Sequence, residues 1–441
     1  MCGLGGLLWS GSWRRSGSKS VPGRDCWSVM WSYDRVQSRG GGKNTRELLC
    51  LLLSSYGATH SDVDLEIYSL MVEIESAEVG CGKLAELDFL WGSALLRTTR
   101  DEAHESDSLP YTFLSEIDED SRRGHFKDNL PIDPKLCIET VLHFPFGRTT
   151  SLYPLSCEMF LQLNRKEPKI PTARGERIKC YDPVFILCFS IHCLSMDFLD
   201  SVEFAGLGLL AIALMSISSP DDNIRKLGYE VVGKFMDGLE KRRKKRDSAK
   251  LRLLLTYLQN GIQEPWQKIP STIALFTSES SLILLDSSND RHAAINKHLM
   301  QSSRINMEVI LFFHDYFWSS SANFKKDRIW MLFLLCAGIN SEEDFRLFIK
   351  GSVPEILLSF YVSPLSDNKS KDLILQVIFH FVGPCANSPD FTKWYHRINK
   401  TAAGNVIFRG QINNAVRPDF MRKTEGRFFG GLRCMFFNLL A

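Results

Sequence analysis

Apolar residues near the middle of the chain form two long runs and then a stripe. Pro183 to Met196 lies between Asp182 and Asp197, and Phe204 to Pro220 lies between Glu203 and Asp221, so each run has the length of a buried helix. The pair predicts a helical hairpin. Beyond it, Ile224, Leu227, Val231, Val232, Phe235, Met236 and Leu239 recur at intervals of three and four, the signature of an amphipathic helix with one buried side. Ser219 is its expected N-cap. Pro220 suits the first helical position, and Asp221 and Asp222 suit the positive end of the helix dipole.

The same patterning extends outward. Leu48 to Leu53 predicts a nearly all-apolar helix ended by Gly57, Asp62 to Glu75 an amphipathic one, and Leu84 to Leu96 a third. Residues 30–97 therefore form a helical segment. Thr98 to Pro134 mixes charge, serine and glycine without periodicity, and Pro154, Pro168 and Pro171 break the next stretch, so residues 98–180 are expected to be a charged, partly disordered insert and linker. Downstream, helix starts near Pro183, Pro220, Pro270, Ile305 and Ser341 recur at roughly 35 to 50 residues, the length of armadillo or HEAT units. Ser341-Glu342-Glu343-Asp344 resembles a capping box, and Val353 to Val362 and Leu373 to Val382 supply later apolar helices. The expected fold is all-α: an α-solenoid of armadillo/HEAT-like helical hairpins over residues 181–382, with disordered termini and inserts. Residues 383–441, interrupted by glycines and basic residues, read as a poorly ordered basic tail, and residues 1–29 as a disordered or aberrant extension with some transit-peptide character.

Several of these segments also carry a resemblance. Tyr181-Asp182-Pro183, the Glu203 to Gly208 segment, Ser218-Ser219-Pro220-Asp221-Asp222 with Arg225, and Asp327-Arg328-Ile329-Trp330 followed by Ala337-Gly338-Ile339 and Asp344 resemble, in their combined order, the C-terminal region of the nucleolar pre-ribosomal-associated protein 1 family. The likeness runs from about Met30 to Val377, only the tail of a much longer family protein, as in a truncated or alternatively started plant-like form. Tyr181, Asp182, Pro183, Ser219, Asp221, Arg225, Arg328 and Trp330 are its structural positions. The resemblance implies a nucleolar, hence nuclear, scaffold in early large (60S) subunit biogenesis and pre-rRNA processing. Its partners would be pre-ribosomal RNA and assembly factors, including a complex that contains a DEAD-box RNA helicase.

Composition changes this picture little. The chain has 441 residues, 44% of them hydrophobic, and a formal charge of +2, so any preference for an anionic partner must come from patches. The sharpest patch is Lys241-Arg242-Arg243-Lys244-Lys245-Arg246 at a helix C-terminus. Two or three cations would satisfy the dipole there, so the block reads as an RNA-binding surface, a nuclear localisation signal, or both. A second basic run spans Arg165 to Lys179.

Catalytic chemistry finds no support. GxSxG and HExxH motifs are absent, and Gly40-Gly41-Gly42-Lys43-Asn44-Thr45 lacks both the first glycine and the magnesium-binding hydroxyl of a phosphate loop. The twelve cysteines include no CxxC pair. Cys180, Cys188, His192 and Cys193 are the best zinc candidates, yet they sit in core-like surroundings and read as reduced thiols beside a satisfied histidine. Phe312, Phe313, Tyr316, Phe317, Trp318 and Trp330 read as packing residues. The expectation is a protein with no enzymatic activity, cofactor, metal, small-molecule substrate or membrane. The alternatives are a generic armadillo-like peptide-binding adaptor and a membrane-associated helical hairpin built from the two apolar runs.

Overall fold

The computed structural model describes residues 42–77, 84–97, 119–150, 179–241 and 246–385. Their secondary structure is helical, apart from one isolated antiparallel bridge between Thr59 and Tyr181. Among the described residues the all-α class expected from the periodicity is the one observed.

In chain order the helices are α1 (Gly42–Ser55), α2 (Asp62–Ala77), α3 (Glu119–Asp128), α4 (Pro134–Leu142), α5 (Pro183–Ser195), α6 (Ser201–Gly206), α7 (Leu209–Ser216), α8 (Asp222–Lys241), α9 (Arg246–Gln259), α10 (Ser271–Ile283), α11 (His292–Gln301), α12 (Phe313–Phe317), α13 (Phe324–Gly338), α14 (Glu342–Lys350), α15 (Val353–Val362) and α16 (Asn368–Cys385). They fall into two compact units. Among the described residues, one draws on 42–150, 179–267 and 278–304, the other on 268–277 and 305–385.

In the first unit α5 and α7 are almost wholly buried, with α8 packed against both and α4 against α7. Helix α8 carries the predicted stripe: Ile224, Leu227, Val231, Val232, Phe235 and Leu239 are buried, while Met236 is only half-buried. The second apolar run is not the single helix its composition suggests. It breaks at Gly208, where φ is +89°, into α6 and α7. A Cβ there would lie 2.8 Å from Cys137 Cβ, so both the backbone twist and the close approach of α4 require glycine.

Part of the expected insert is also helical. Asp133 caps α4 by accepting from Lys135 N–H at 2.9 Å, Pro134 stands in the first turn, and Cys137, Val141 and Leu142 are buried. The periodicity of nine residues was too short to register against the charge around it.

In the second unit α13 packs on α12 and α16, and α15 on α14 and α16. The capping box at Ser341 and Asp344 is present as expected, and Asp344 also accepts from Thr272 N–H at 3.2 Å. Burial raises the Asp344 carboxyl above its usual value, with its hydrogen bonds pulling the other way.

Candidate functional site

The positions that carry the resemblance converge on backbone, and Asp182 is the densest point. Its side chain is fully buried and caps α5 by accepting from Val184 N–H at 3.2 Å. Arg148 meets it with two further bonds of 3.0 Å, Nε to Oδ1 and Nη2 to Oδ2. Burial alone would lower the Arg148 pKa, but the facing carboxylate outweighs it and holds the guanidinium above its ordinary value.

Tyr181 ties in two more segments. Its N–H donates to Thr140 Oγ1 at 2.8 Å, and its hydroxyl accepts from Asp133 N–H at 2.9 Å. Across the isolated bridge, Asp182 N–H donates to Ala58 O at 2.9 Å and His60 N–H to Cys180 O at 2.8 Å. Tyr181-Asp182-Pro183 thus joins the α1–α2 turn, α4 and the start of α5.

At the next helix start the structure corrects the sequence reading. The N-cap of α8 is Asp221, two residues later than expected: its Oδ1 accepts from Asn223 N–H at 2.9 Å and Ile224 N–H at 3.0 Å, and its carbonyl accepts from Arg225 N–H at 3.1 Å. Ser219 instead accepts from Asp221 N–H at 3.2 Å and shapes the entry turn. Pro220 therefore precedes the helix. Asp221 outcompetes Ser219 because Thr150 also donates to it, from N and from Oγ1, both at 3.0 Å. The loop Arg148 to Thr150 so binds the capping carboxylates of two packed helices. Arg225 closes the same turn, reaching Ser219 O at 2.9 Å, Trp266 O at 3.1 Å and Asp222.

Arg328 and Trp330 lie in the second unit. The Arg328 guanidinium carbon sits 4.2 Å from the Phe360 ring centroid, 5.6 Å from Phe324 and 5.7 Å from Phe317, and Nε donates to Phe317 O at 3.1 Å. Burial lowers its pKa, with Asp367 opposing. Trp330 packs edge-on to Tyr316 at 5.1 Å. Phe313, Tyr316, Phe317 and Trp330 are core residues, but Trp318 is 50% exposed and does not belong with them.

Of the basic block, Arg242 to Lys245 lie outside the described residues, as does Arg165 to Ile178 of the second basic run. Lys241 is exposed at the end of α8. The carbonyl of Leu239, one of the last in that helix, accepts from Arg252 Nη2 of α9 at 2.8 Å. A cation outside the block therefore already serves the C-terminus of α8.

Around the zinc candidates, Cys188 and Cys193 are buried, and burial pushes the Cys193 thiol well up. His192 Nε2 faces Asp88 Oδ1 at 3.1 Å and its ring packs against Phe89 and Phe198. Among the described residues no cluster of three His, Cys, Asp or Glu side chains is placed to hold a metal ion. Nor is any helix among them long and apolar enough to cross a membrane.

Geometry of this kind, with polar residues committed to caps, turns and buried ion pairs, defines an all-α helical-hairpin protein whose distinctive positions are architectural. The nucleolar pre-ribosomal-associated protein 1 family model matches residues 210–384, so it takes in Ser219, Asp221, Arg225, Arg328 and Trp330 and stops short of Tyr181 to Pro183. The chain is 28% identical over 334 residues to nucleolar pre-ribosomal-associated protein 1 of Mus musculus. It is 26% identical over 337 residues to the protein of that name from Homo sapiens. Each alignment covers 74% of this chain and 14% of the relative, so the chain spans about a seventh of the length of the curated relatives it matches. No solved structure matches the chain. Over these stretches the chain is similar to the nucleolar pre-ribosomal-associated protein 1 family.

Proposed function

We propose that this chain is a non-enzymatic helical scaffold in early large (60S) subunit biogenesis and pre-rRNA processing, working within nucleolar pre-ribosomal particles. The observation that carries this reading is the use made of the residues that carry the resemblance: Asp182, Asp221, Arg225 and Arg328 are all engaged in holding backbone or a buried counter-group. A protein of this design offers rigid surface, and chemistry belongs to what it holds. The name shared by the two relatives, which associates them with pre-ribosomes, supports that setting.

On this reading the chain contacts pre-ribosomal RNA and assembly factors, including a complex that contains a DEAD-box RNA helicase. The RNA contact is assigned to Lys241 through Arg246. Arg252 already serves the end of α8 and Arg246 opens α9, so the run Lys241 to Lys245 supplies more cations than the α8 dipole needs, and a polyanion is the partner that would offset their mutual repulsion. Crosslinking followed by sequencing of bound RNA tests the proposal. Enrichment of pre-ribosomal RNA is expected; RNA at background would overturn it in favour of a peptide-binding adaptor.

A further inference from the structure

The hairpin of α1 and α2 is apolar on two sides. Leu49, Leu53 and Tyr56 of α1 and Leu65, Tyr68 and Met71 of α2 are buried, and both tyrosines pack edge-on to Phe185 of α5. Away from that core, Leu48 is 44% exposed, Leu51 65%, Val63 65% and Leu70 49%. Scattered singly, such residues are ordinary, but these are ordered.

On α2 the outer residues form a seam. Val63, Ile67, Leu70 and Ile74 are spaced by four, three and four, as at the a and d positions of a coiled coil, with Ile67 and Ile74 half-buried. Leu48 and Leu51 carry the apolar surface onto α1, which packs against α2. Glu66 and Glu73 fall one heptad apart at the g positions beside the seam; both are exposed, and neither has an ion-pair partner among the described residues. Helix α2 contains no lysine or arginine. Basic residues stand at the two ends of the hairpin instead: Lys43 and Arg46, with Glu47, open α1, and Lys179 precedes Cys180, whose carbonyl accepts from His60 N–H in the α1–α2 turn.

These features choose among occupants. A heptad seam is shaped for another helix, and the terminal unit of a helical stack needs a polar outer face unless something covers it. Glutamates at both g positions call for lysine or arginine on the facing helix. A second copy brings no basic residue of its own α2 to them, and in antiparallel order it sets Glu66 against Glu73. An anionic lipid surface meets the same two carboxylates.

We propose that the outer face of the α1–α2 hairpin docks an amphipathic α-helix of a separate protein, its apolar stripe seated along Val63, Ile67, Leu70 and Ile74 and its basic residues beside Glu66 and Glu73. The assignment goes beyond the scaffold reading and uses nothing of the RNA contact at Lys241 to Arg246, so each fails or stands alone.

The test is fluorescence anisotropy of a labelled helical peptide of about three heptads, with leucine at a and d and lysine at e and g, titrated with the full chain. Like charge keeps this peptide from pairing with itself, and a companion with glutamate at e and g is the control. The lysine peptide should bind, and the glutamate peptide should bind at least about tenfold more weakly. Leu70→Gln, at an exposed position, should weaken the lysine peptide about tenfold. Glu66→Lys combined with Glu73→Lys should reverse the preference between the two peptides, which neither lost structure nor general stickiness would do. If Leu70→Gln fails to fold, this charge-reversed chain decides, and an unreversed preference overturns the assignment. Failure of the lysine peptide to bind, equal binding of both peptides, or binding unchanged in a folded Leu70→Gln chain overturns it too. A wild-type dimer that Leu70→Gln makes monomeric gives the face to a second copy, and Leu70-dependent flotation with anionic vesicles gives it to lipid; either result overturns the proposal.

Discussion

Arg148 and Asp182, 34 residues apart in sequence, meet through two bonds of 3.0 Å, and the carboxylate is fully buried. A buried pair of this kind adds little over an apolar substitute, yet removing one partner strands the other. Arg148→Ala should therefore cost about 3 to 5 kcal/mol of unfolding free energy. Denaturant unfolding checks this, and a loss below about 1 kcal/mol, the level of an exposed pair, would contradict the buried geometry.

The revised cap makes a separate prediction. Asp221→Ala removes two N-cap bonds and both Thr150 contacts, and should destabilise by about 1 to 2 kcal/mol, whereas Ser219→Ala loses one turn bond and should cost less. The reverse order in thermal melts would restore Ser219 as the cap.

Two neighbouring glycines should respond oppositely. Gly208→Ala meets both a φ of +89° and Cys137 Cβ at 2.8 Å, and should cost on the order of 2 kcal/mol or more. Gly206→Ala has nothing within 4 Å of the added carbon and should be near neutral. Similar melting temperatures for the two variants would remove the argument for a forced break between α6 and α7.

Asp367 gives a pH dependence of known sign. Burial alone would raise its pKa, but the Ser370 bonds, then Lys325 and Arg328, bring it below the ordinary value. Its contribution to stability is therefore present above the unfolded carboxylate value and lost as pH falls through the folded one. Asp367→Asn keeps a capping side chain and cannot titrate. Wild type should be the more stable of the two at neutral pH and should lose that lead on acidification; a constant gap would count against the assignment.

The basic block separates address from contact. Alanine at all of Lys241 to Arg246, in a chain given an independent import signal, should enter the nucleus and bind RNA with a salt slope lower by about three to four, as for about four phosphate contacts. An unchanged affinity and slope would leave the block as an import signal alone.

The sequence announced helices better than it announced their joints. The stripe on α8 and the capping box at Ser341 were legible because both are local: a period of 3.6 and a spacing of three residues. The break at Gly208 was hidden because composition reports burial, and it is Cys137, 71 positions upstream, that makes glycine necessary. Thr150 likewise decides which residue caps α8 from a loop that local rules treat as linker. Trp318 shares the spacing of its buried neighbours, so only the packed structure separates it from them.

The Thr59–Tyr181 bridge bears on where this chain can be divided. A fragment that keeps only residues 210–384 retains the family signature but discards α5, on which α8 packs, and begins next to an exposed stripe. Starting instead at Lys179 restores α5 but leaves Asp182 without Arg148 and without the Ala58 carbonyl. A piece that keeps these bonds therefore reaches back to the α1–α2 turn, which holds the start of α5. Unfolding of α1 and α2 should accordingly be felt at the start of α5, so that the far amino-terminal hairpin acts as the keystone of a segment that begins more than a hundred residues after it.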